Sequence, residues 1–401
     1  MEPSLAQTAG WIPLAWAAVV ASVSLEALRR ARAAARRAPV IPPLPSETRV
    51  LLVRPCAGHE PHLERTLRSL AGARTRGTLR CVVAVETQED TATPAARAAI
   101  TALEQAGLKA RLAFTRPASD GARALDPNRK AAQLAAVVAT EAQPFDLLLV
   151  ADSDVDLDGL DLDLLLAPLT APRPASATWA PPAERAPAHT LGDRASAAVL
   201  GGSLHAFPLL AHLDPSALVG KLCAVRADHL ARAGGFGALV AHLGEDMELA
   251  RRLRAHGGHV APAPLVASSL AAGRSLPAVV SRYARWLSVI RAQRTLLLAS
   301  YPALFCATPL ITALALATAP LTPLLASAAL TLALGARLLT ALGAARAAGR
   351  PTALRTALAD ALLADLVLLA AFTRALASRK VRWRDTVLEV NRRGLLQEAG
   401  A

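Results

Sequence analysis

The longest early feature of the chain is an apolar run from about Gly10 to Leu28, interrupted only by Ser22, Ser24 and Glu26. As a helix that run is about one bilayer thick. Arginines follow it at 29, 30, 32, 36 and 37, whereas Met1 to Gly10 carries no basic residue. A cleaved signal peptide has its positive charge ahead of the apolar run. The pattern therefore predicts an uncleaved anchor, with its N-terminus outside and the following chain in the cytoplasm.

Beyond a Pro-rich linker, Pro39 to Pro45, short apolar runs alternate with helical spacing. Strands are predicted at Arg49 to Val53, Leu79 to Val85, Arg111 to Phe114 and Phe145 to Val150. Helices are predicted at Leu63 to Leu70, Pro94 to Gly107 and Asn128 to Ala142. The alternation predicts an α/β domain with a mostly parallel sheet and helices on both faces. Ligands of such sheets bind beyond the carboxyl ends of the strands. Asp90 and Asp152 both follow strand ends, so both are expected at one crevice. Pro172 to His189, rich in Pro and Ala, is expected to be a loop. Gly244 to Ala255 has helical spacing.

Leu276 to Ala299 carries Arg282, Arg285, Arg291 and Arg294 against Val, Leu and Ile. That suits an amphipathic helix lying in a membrane interface. Three hydrophobic stretches follow, at about Pro302 to Ala319, Leu321 to Leu342 and Thr356 to Ala377. The first two read as a hairpin with Pro320 and Pro323 at its tip. Four plain spans would put the basic tail (Arg379, Lys380, Arg382, Arg384) outside, against the charge rule. The third stretch contains Asp360, Asp365 and Arg374, so it is expected to be re-entrant or interfacial, with the tail returning to the cytoplasm. The expected organisation is an anchor at 1–30, a basic linker at 31–48, a catalytic α/β domain at 49–275, an interfacial helix at 276–300, membrane segments at 301–378 and a cytoplasmic tail at 379–401.

Composition sharpens the membrane reading. The 401 residues are 53% hydrophobic, and the mean hydropathy of +0.34 is too high for an ordinary soluble protein. The formal charge of +13 suits either nucleic acid or anionic lipid. The arginines cluster beside hydrophobic segments, which favours lipid and argues against a nucleic-acid partner. The four cysteines form no CxxC pair, which argues against a zinc site and for a reducing compartment around the globular part.

Asp152-Ser153-Asp154 follows a predicted strand. A carboxylate pair there could hold a divalent cation together with the phosphates of a nucleotide. Asp156, Asp158, Asp161 and Asp163 lie close by, so a plain acidic loop is the competing reading. Glu245-Asp246 opens a predicted helix, where carboxylates also favour the dipole. Arg282-Tyr283-Ala284-Arg285-Trp286 lies just before the membrane segments. Three spaced carboxylate sites followed by an Arg-Trp element fit a sugar-nucleotide transferase whose acceptor is in the bilayer.

These motifs together resemble the ceramide glucosyltransferase family, within the larger family 2 of GT-A glycosyltransferases. Leu52 to Pro61 resembles the family's opening strand and K-P-x-x-G-x-x-P turn, with Arg54 in place of Lys. Gln88-Glu89-Asp90 is similar to the segment of the family's first Asp, although Thr91 stands where a Pro is usual. Glu86 and Glu89 are local substitutes for Asp90. Asn128-Arg129-Lys130 resembles an N-P-K stretch, Asp152-Ser153 the second Asp, and Gly244-Glu245-Asp246 the third. Ser203 to Pro208 resembles the segment holding a family His, here His205. Gly220-Lys221 to Gly234-Gly235 matches the block entering the acceptor region. Arg282 to Trp286 matches the R-x-x-R-W signature, and Trp383-Arg384 a tail motif.

The resemblance implies inverting transfer of glucose from UDP-glucose to a lipid hydroxyl, most simply that of ceramide, at a bacterial inner membrane. It implies a GT-A fold and a divalent cation, Mg2+ or Mn2+, at Asp152 and Asp154. Asp246 would be the base, with Arg282, Arg285, Trp286 and His205 as further catalytic residues. Asp90, Lys130, Asp152, Lys221 and Glu245 would bind the UDP-sugar. Transfer of N-acetylglucosamine to a hopanoid or other lipid remains an alternative, as does a non-catalytic membrane scaffold with a decayed transferase domain.

Overall fold

In the computed structural model the chain opens with α1 (Leu5–Arg36), then alternates strand and helix through β1 (Arg49–Pro55), α2 (Leu63–Arg68), β2 (Thr78–Val85), α3 (Thr93–Gln105), β3 (Lys109–Phe114), α4 (Arg129–Thr140) and β4 (Leu147–Ala151). Short elements follow: β5 (Val155–Asp156), α5 (Asp163–Leu166), β6 (Ala177–Trp179) and β7 (Pro182–Glu184). Next come α6 (Leu191–Gly202), α7 (Phe207–Leu213), β8 (Leu222–Arg226), α8 (Ala227–Arg232), α9 (Glu245–Ala255), β9 (Val260–Pro262) and β10 (Ala267–Ser269). The last third holds α10 (Leu276–Gln293), α11 (Thr295–Leu298), a π-helical turn at Tyr301–Phe305, α12 (Ala307–Thr318), α13 (Pro323–Ala347) and α14 (Leu354–Ala377), then β11 (Lys380–Trp383), β12 (Thr386–Val390) and β13 (Leu396–Glu398).

The structure describes residues 5–36, 42–116, 126–214, 217–383, 386–391 and 394–398. Arg37, the start of the Pro39 to Pro45 linker and Arg384 lie outside them, as do the side chains of Arg382 and Trp383. Two compact units emerge. One comprises 1–37, 187–213 and 273–385; the other comprises 38–186, 214–272 and 386–401. The span 49–275 expected as one catalytic domain is thus interrupted by 187–213, and the end of the basic tail belongs to the α/β unit.

The α/β unit is built on a seven-stranded sheet of order β3-β2-β1-β4-β8-β6-β9. β3, β2, β1 and β4 are mutually parallel, as their alternation with helices predicts. β8 runs antiparallel to both β4 and β6, so the sheet is mixed but mostly parallel. Val50 to Val53 and Leu147 to Ala151 are buried throughout, the continuous apolar run of a strand covered on both faces. Side chains such as Leu52, Val83 and Leu149 pack in one core with Leu67 of α2 and Leu103 of α3. Each such leucine contributes about 1.5–3 kcal/mol by leaving water. The expected loop Pro172 to His189 instead contains β6 and β7, both buried. Their three-residue length left too little periodicity to read.

In the helical unit, Thr8–Arg36, Leu191–Leu213, Pro323–Ala347 and Leu354–Ala377 are long and apolar enough to cross a bilayer. Thr295–Phe305 and Ala307–Thr318 form a further candidate bent by 57°. Leu191–Leu213 had no sequence expectation. Thr190 caps it, accepting the Asp193 N–H at 2.9 Å, and it breaks after Gly202. The amphipathic helix starts at a Ser275 cap and ends at Arg294, short of the expected Ala299. The expected stretch Pro302 to Ala319 is also not one helix, since Cys306 interrupts it.

Candidate active site

Within the α/β unit, the turn after β4 and the start of α9 are drawn together by α4. Asn128 caps α4, accepting the Ala131 N–H at 3.0 Å, and its amide donates to Glu245 at 3.0 Å. Capping leaves Lys130 in the first turn. Its Nζ lies 2.6 Å from Asp152 Oδ1 and 3.5 Å from Glu245 Oε1, and donates to the Gly220 carbonyl at 2.8 Å. Gly220 in turn donates its N–H to Asp246 Oδ2 at 3.0 Å, while Met247 N–H reaches Asp246 Oδ1 at 2.8 Å. A Cβ on Gly220 would sit 3.3 Å from both Asp246 Cβ and Lys130 Nζ, a tight fit that would press on both side chains. Asp152, Lys130, Glu245 and Asp246 therefore form one cluster from segments far apart in sequence.

The electrostatics follow from burial. Desolvation and the neighbouring Glu245 carboxylate push the Asp246 carboxyl up to about 6, against the two backbone N–H groups and Lys130. Burial works against the charge of Lys130, but Asp152 and Glu245 more than offset it and hold the ammonium above its usual range. Lys221 behaves alike beside Asp154, at 2.5 and 2.7 Å from its two oxygens.

Arg54, at the end of β1, is fully buried. Its guanidinium donates to the carbonyls of Thr66 (2.5 Å), Asp152 (3.0 Å), Ser153 (3.4 Å) and Val155 (2.6 Å). It shapes the turn that presents Asp152. Asp90 accepts the N–H groups of Gly58 at 2.7 Å and Ala92 at 2.9 Å, tying the loop after β2 to the turn after β1. Glu86, a local substitute for it, is ion-paired with Arg129. Asp161 accepts the Asp163 N–H, and Asp163 accepts from the Thr75 hydroxyl and the Arg76 N–H ahead of β2, a structural use separate from Asp152.

As a cation site the aspartate pair fits in part. Asp154 has both oxygens on Lys221, with Ser269 Oγ donating a further bond at 2.8 Å. Asp152 has Oδ1 on Lys130. Among the described residues no three His, Cys, Asp or Glu side chains are grouped to hold a metal ion by themselves. The donor set suits a cation completed by phosphate oxygens, with Asp152 as the protein ligand.

In the helical unit, His205 sits at the break between α6 and α7 and is buried. Its Nε2 is 2.9 Å from the Tyr301 hydroxyl. Its ring stacks on Trp286 with centroids 6.1 Å apart and planes at 11°. Phe207, Tyr283 and Phe305 meet it edge-on at 5.7–5.8 Å. The Arg282 guanidinium lies over Trp286 at 5.5 Å and over Tyr283 at 5.1 Å, and hydrogen-bonds Ser196. Arg285 is partly buried on the same helix. His205, Arg282 and Trp286 are thus brought together.

Residues 11–396 match the family described as Glycosyl transferase family 21. This chain belongs to that family. It is a glycosyltransferase. No curated protein matches it. The transferase is similar to the solved mannosyltransferase PcManGT from Pyrobaculum calidifontis, in complex with GDP-Man and Mn2+, at 19% identity and a TM-score of 0.47, over 92% of this chain and 99% of that one. It is also similar to glucosyl-3-phosphoglycerate synthase from Mycobacterium tuberculosis, in complex with Mn2+, UDP and glucosyl-3-phosphoglycerate, at 18% identity and a TM-score of 0.35, over 60% of this chain and 80% of that one.

Three participants in the transferase's two clusters, and a glutamate in the opening turn, had no expected role from sequence. Gly220 was quoted only as the start of a motif block. Tyr301 and Ser196 lie in apolar context that carries no signal. Glu60, inside the opening turn, is partly buried, and its Oε2 meets no hydrogen-bond partner among the described residues. Desolvation holds its carboxyl above the ordinary range.

Proposed function

We propose that the transferase moves glucose from UDP-glucose to the hydroxyl of a membrane lipid, ceramide, with inversion at the anomeric carbon. The observation that carries this reading is Asp246. A carboxylate tuned to about 6 is ionised near neutral pH yet basic enough to accept a proton from an attacking hydroxyl. Two backbone N–H groups fix its orientation, so its proton-accepting geometry is set before substrate arrives.

Lys130 and Lys221 supply positive charge beside Asp152 and Asp154, where the diphosphate of the donor would lie. Asp152 would hold a divalent cation, Mg2+ or Mn2+, which would supply positive charge beside the diphosphate of the leaving UDP. Asp90 shapes the nucleotide side of the crevice by pinning the Gly58 turn. Glu245 sets the charge around both Lys130 and Asp246. In the helical unit, the His205–Trp286 stack with Arg282 offers flat aromatic surface and a cation suited to a lipid acceptor with a polar head. The catalytic residues would face the cytoplasm from a bacterial inner membrane.

The test is turnover in vesicles. Purified transferase in ceramide-containing vesicles with UDP-glucose and Mg2+ or Mn2+ should release UDP and add one hexose mass to the lipid. UDP release only with UDP-N-acetylglucosamine and a hopanoid would redirect the substrate. No UDP release with either pair would refute the reading.

A further inference from the structure

Among the described residues, four helices have the length and composition to cross a bilayer, and the bent Thr295–Thr318 pair makes a fifth segment if it is one span. Strand pairing limits how many can do so. β4 pairs with β8 through five residue pairs, from Leu147–Arg226 to Ala151–Leu222. These strands flank the stretch 187–213, so both of its ends lie on one side of any membrane. If Leu191–Leu213 crossed, that pairing could not exist.

The same logic fixes the C-terminal end. Leu396 N–H donates to the Ala241 carbonyl at 2.7 Å, and Leu395 bridges His242. The chain therefore returns after α14 to the side it left after β10. Between residues 273 and 385 it crosses an even number of times.

Helix direction then decides which segments cross. A Cβ on Gly10 would lie 2.3 Å from Thr322 Oγ1, and one on Gly343 would lie 2.1 Å from Leu28 Cδ2. α1 and α13 are thus packed parallel, with Gly10 beside the start of α13 and Leu28 near its end. α12 runs the other way, since Trp16 Nε1 donates to the Ala303 carbonyl at 2.8 Å while Leu14 packs by Ala315 and Ala319. α1 ends at Arg36 and the described α/β residues resume at 42, too few residues apart to recross a bilayer about 30 Å thick at about 3.5 Å per residue, so the end of α13 is on that side too. The tip at 319–322 has no charge, whereas Arg346, Arg350 and Arg355 flank the end of α13, as the charge rule requires. The bent pair and α13 complete the even count.

We propose that α14 does not cross the bilayer but lies within the leaflet facing the α/β unit, with its exposed leucines among the acyl chains there. The chain crosses three times, through α1, the bent Thr295–Thr318 pair and α13. α14 lies along α10, the amphipathic helix: Arg291 of α10 hydrogen-bonds the carbonyls of Ala375, Leu376 and Ser378. Leu354, Leu358, Leu362 and Leu366 form an exposed stripe, each more than half accessible. The opposite face packs Ala364, Leu368, Ala371 and Ala375 into the core that holds Tyr283. Such a two-faced helix suits an in-plane position. The His205 cluster is built from α10, the α6–α7 break and the Tyr301–Phe305 turn, so an acceptor reaching it comes from that same leaflet. This placement rests on the membrane reading above.

Single cysteines test it in the full-length transferase, in sealed inner-membrane vesicles of each orientation, with a membrane-impermeant maleimide. The four native cysteines are buried, so the parent chain is the unlabelled control. Glu104→Cys marks the face of the α/β unit. Pro351→Cys, before α14, and Gln397→Cys, after it, should label from that face, and Leu321→Cys from the other. Nitroxides on Leu358→Cys, Leu362→Cys and Leu366→Cys should report similar depths. A crossing helix would spread them over about 12 Å, at about 1.5 Å per residue. Labelling of Pro351→Cys and Gln397→Cys from opposite faces, or a graded depth series, overturns the proposal alone. Release of the parent transferase from the membrane by alkaline carbonate overturns the membrane reading beneath it.

Discussion

Lys130 Nζ lies 2.6 Å from Asp152 Oδ1, joining a helix start to the end of a neighbouring strand. The contact neutralises one carboxylate and leaves the ammonium beside Glu245 and Gly220. Removing the cation leaves the partly buried Asp152 without this partner. Lys130→Met should weaken UDP binding at least tenfold and lower stability by about 1 kcal/mol, since the two side chains keep 21% and 28% exposure and water screens the pair. Calorimetric titration with UDP and thermal unfolding in detergent measure the two effects. Unchanged UDP affinity would remove Lys130 from the donor site.

Asp246→Asn keeps the shape of the side chain and removes its basicity. Turnover should fall by about 10²–10⁴, with UDP affinity little changed. In the parent transferase kcat/KM should fall below a pH of about 6, because the base is protonated there. A flat profile from pH 5 to 7 would count against Asp246 as the base.

Glu245 raises the Asp246 carboxyl by like-charge repulsion. Glu245→Gln removes that repulsion, so the Asp246 pKa should fall and the acid limb should move to lower pH. Lys130 loses a partner in the same variant, so donor KM should rise as well. A limb that stays in place would show that burial alone tunes Asp246.

Arg54 reaches four backbone carbonyls with a planar fork. The family pattern has Lys here, and an ammonium cannot span the same set. Arg54→Lys should cost about 1–3 kcal/mol of stability, the cost of leaving buried acceptors unmet. KM for the donor should rise as the Asp152 turn loosens. Equal melting temperatures for the two proteins would show that the surroundings re-form around lysine.

Trp286 stacks on His205 and lies under Arg282. Trp286→Ala should raise KM for the lipid acceptor and leave UDP binding intact. A defect in UDP binding alone would sink its assignment to the acceptor.

Much of this was legible along the chain. Apolar runs of bilayer length and β-branched runs between helices are local patterns, so the α/β alternation and most apolar segments were read within a few residues. Asp152 and Asp246 stood out because each opens or follows an element. β6 and β7 are too short to show a period in a stretch where Pro and Ala suggested loop, and α6, which follows that stretch, had no expectation of its own.

The rest depends on contacts between residues distant in sequence. Nothing local to Asn128-Arg129-Lys130 says that its lysine reaches both Asp152 and Glu245, or that the Gly220 N–H meets Asp246. Tyr301 becomes the partner of His205 only because the chain bends at Cys306. Hydropathy gave α14 the length of a span, while Asp360, Asp365 and Arg374 set it apart as re-entrant or interfacial. Its direction of return is decided by hydrogen bonds that seat Leu396 beside Ala241, since a chain whose two ends join one folded unit cannot leave them on opposite faces of a membrane.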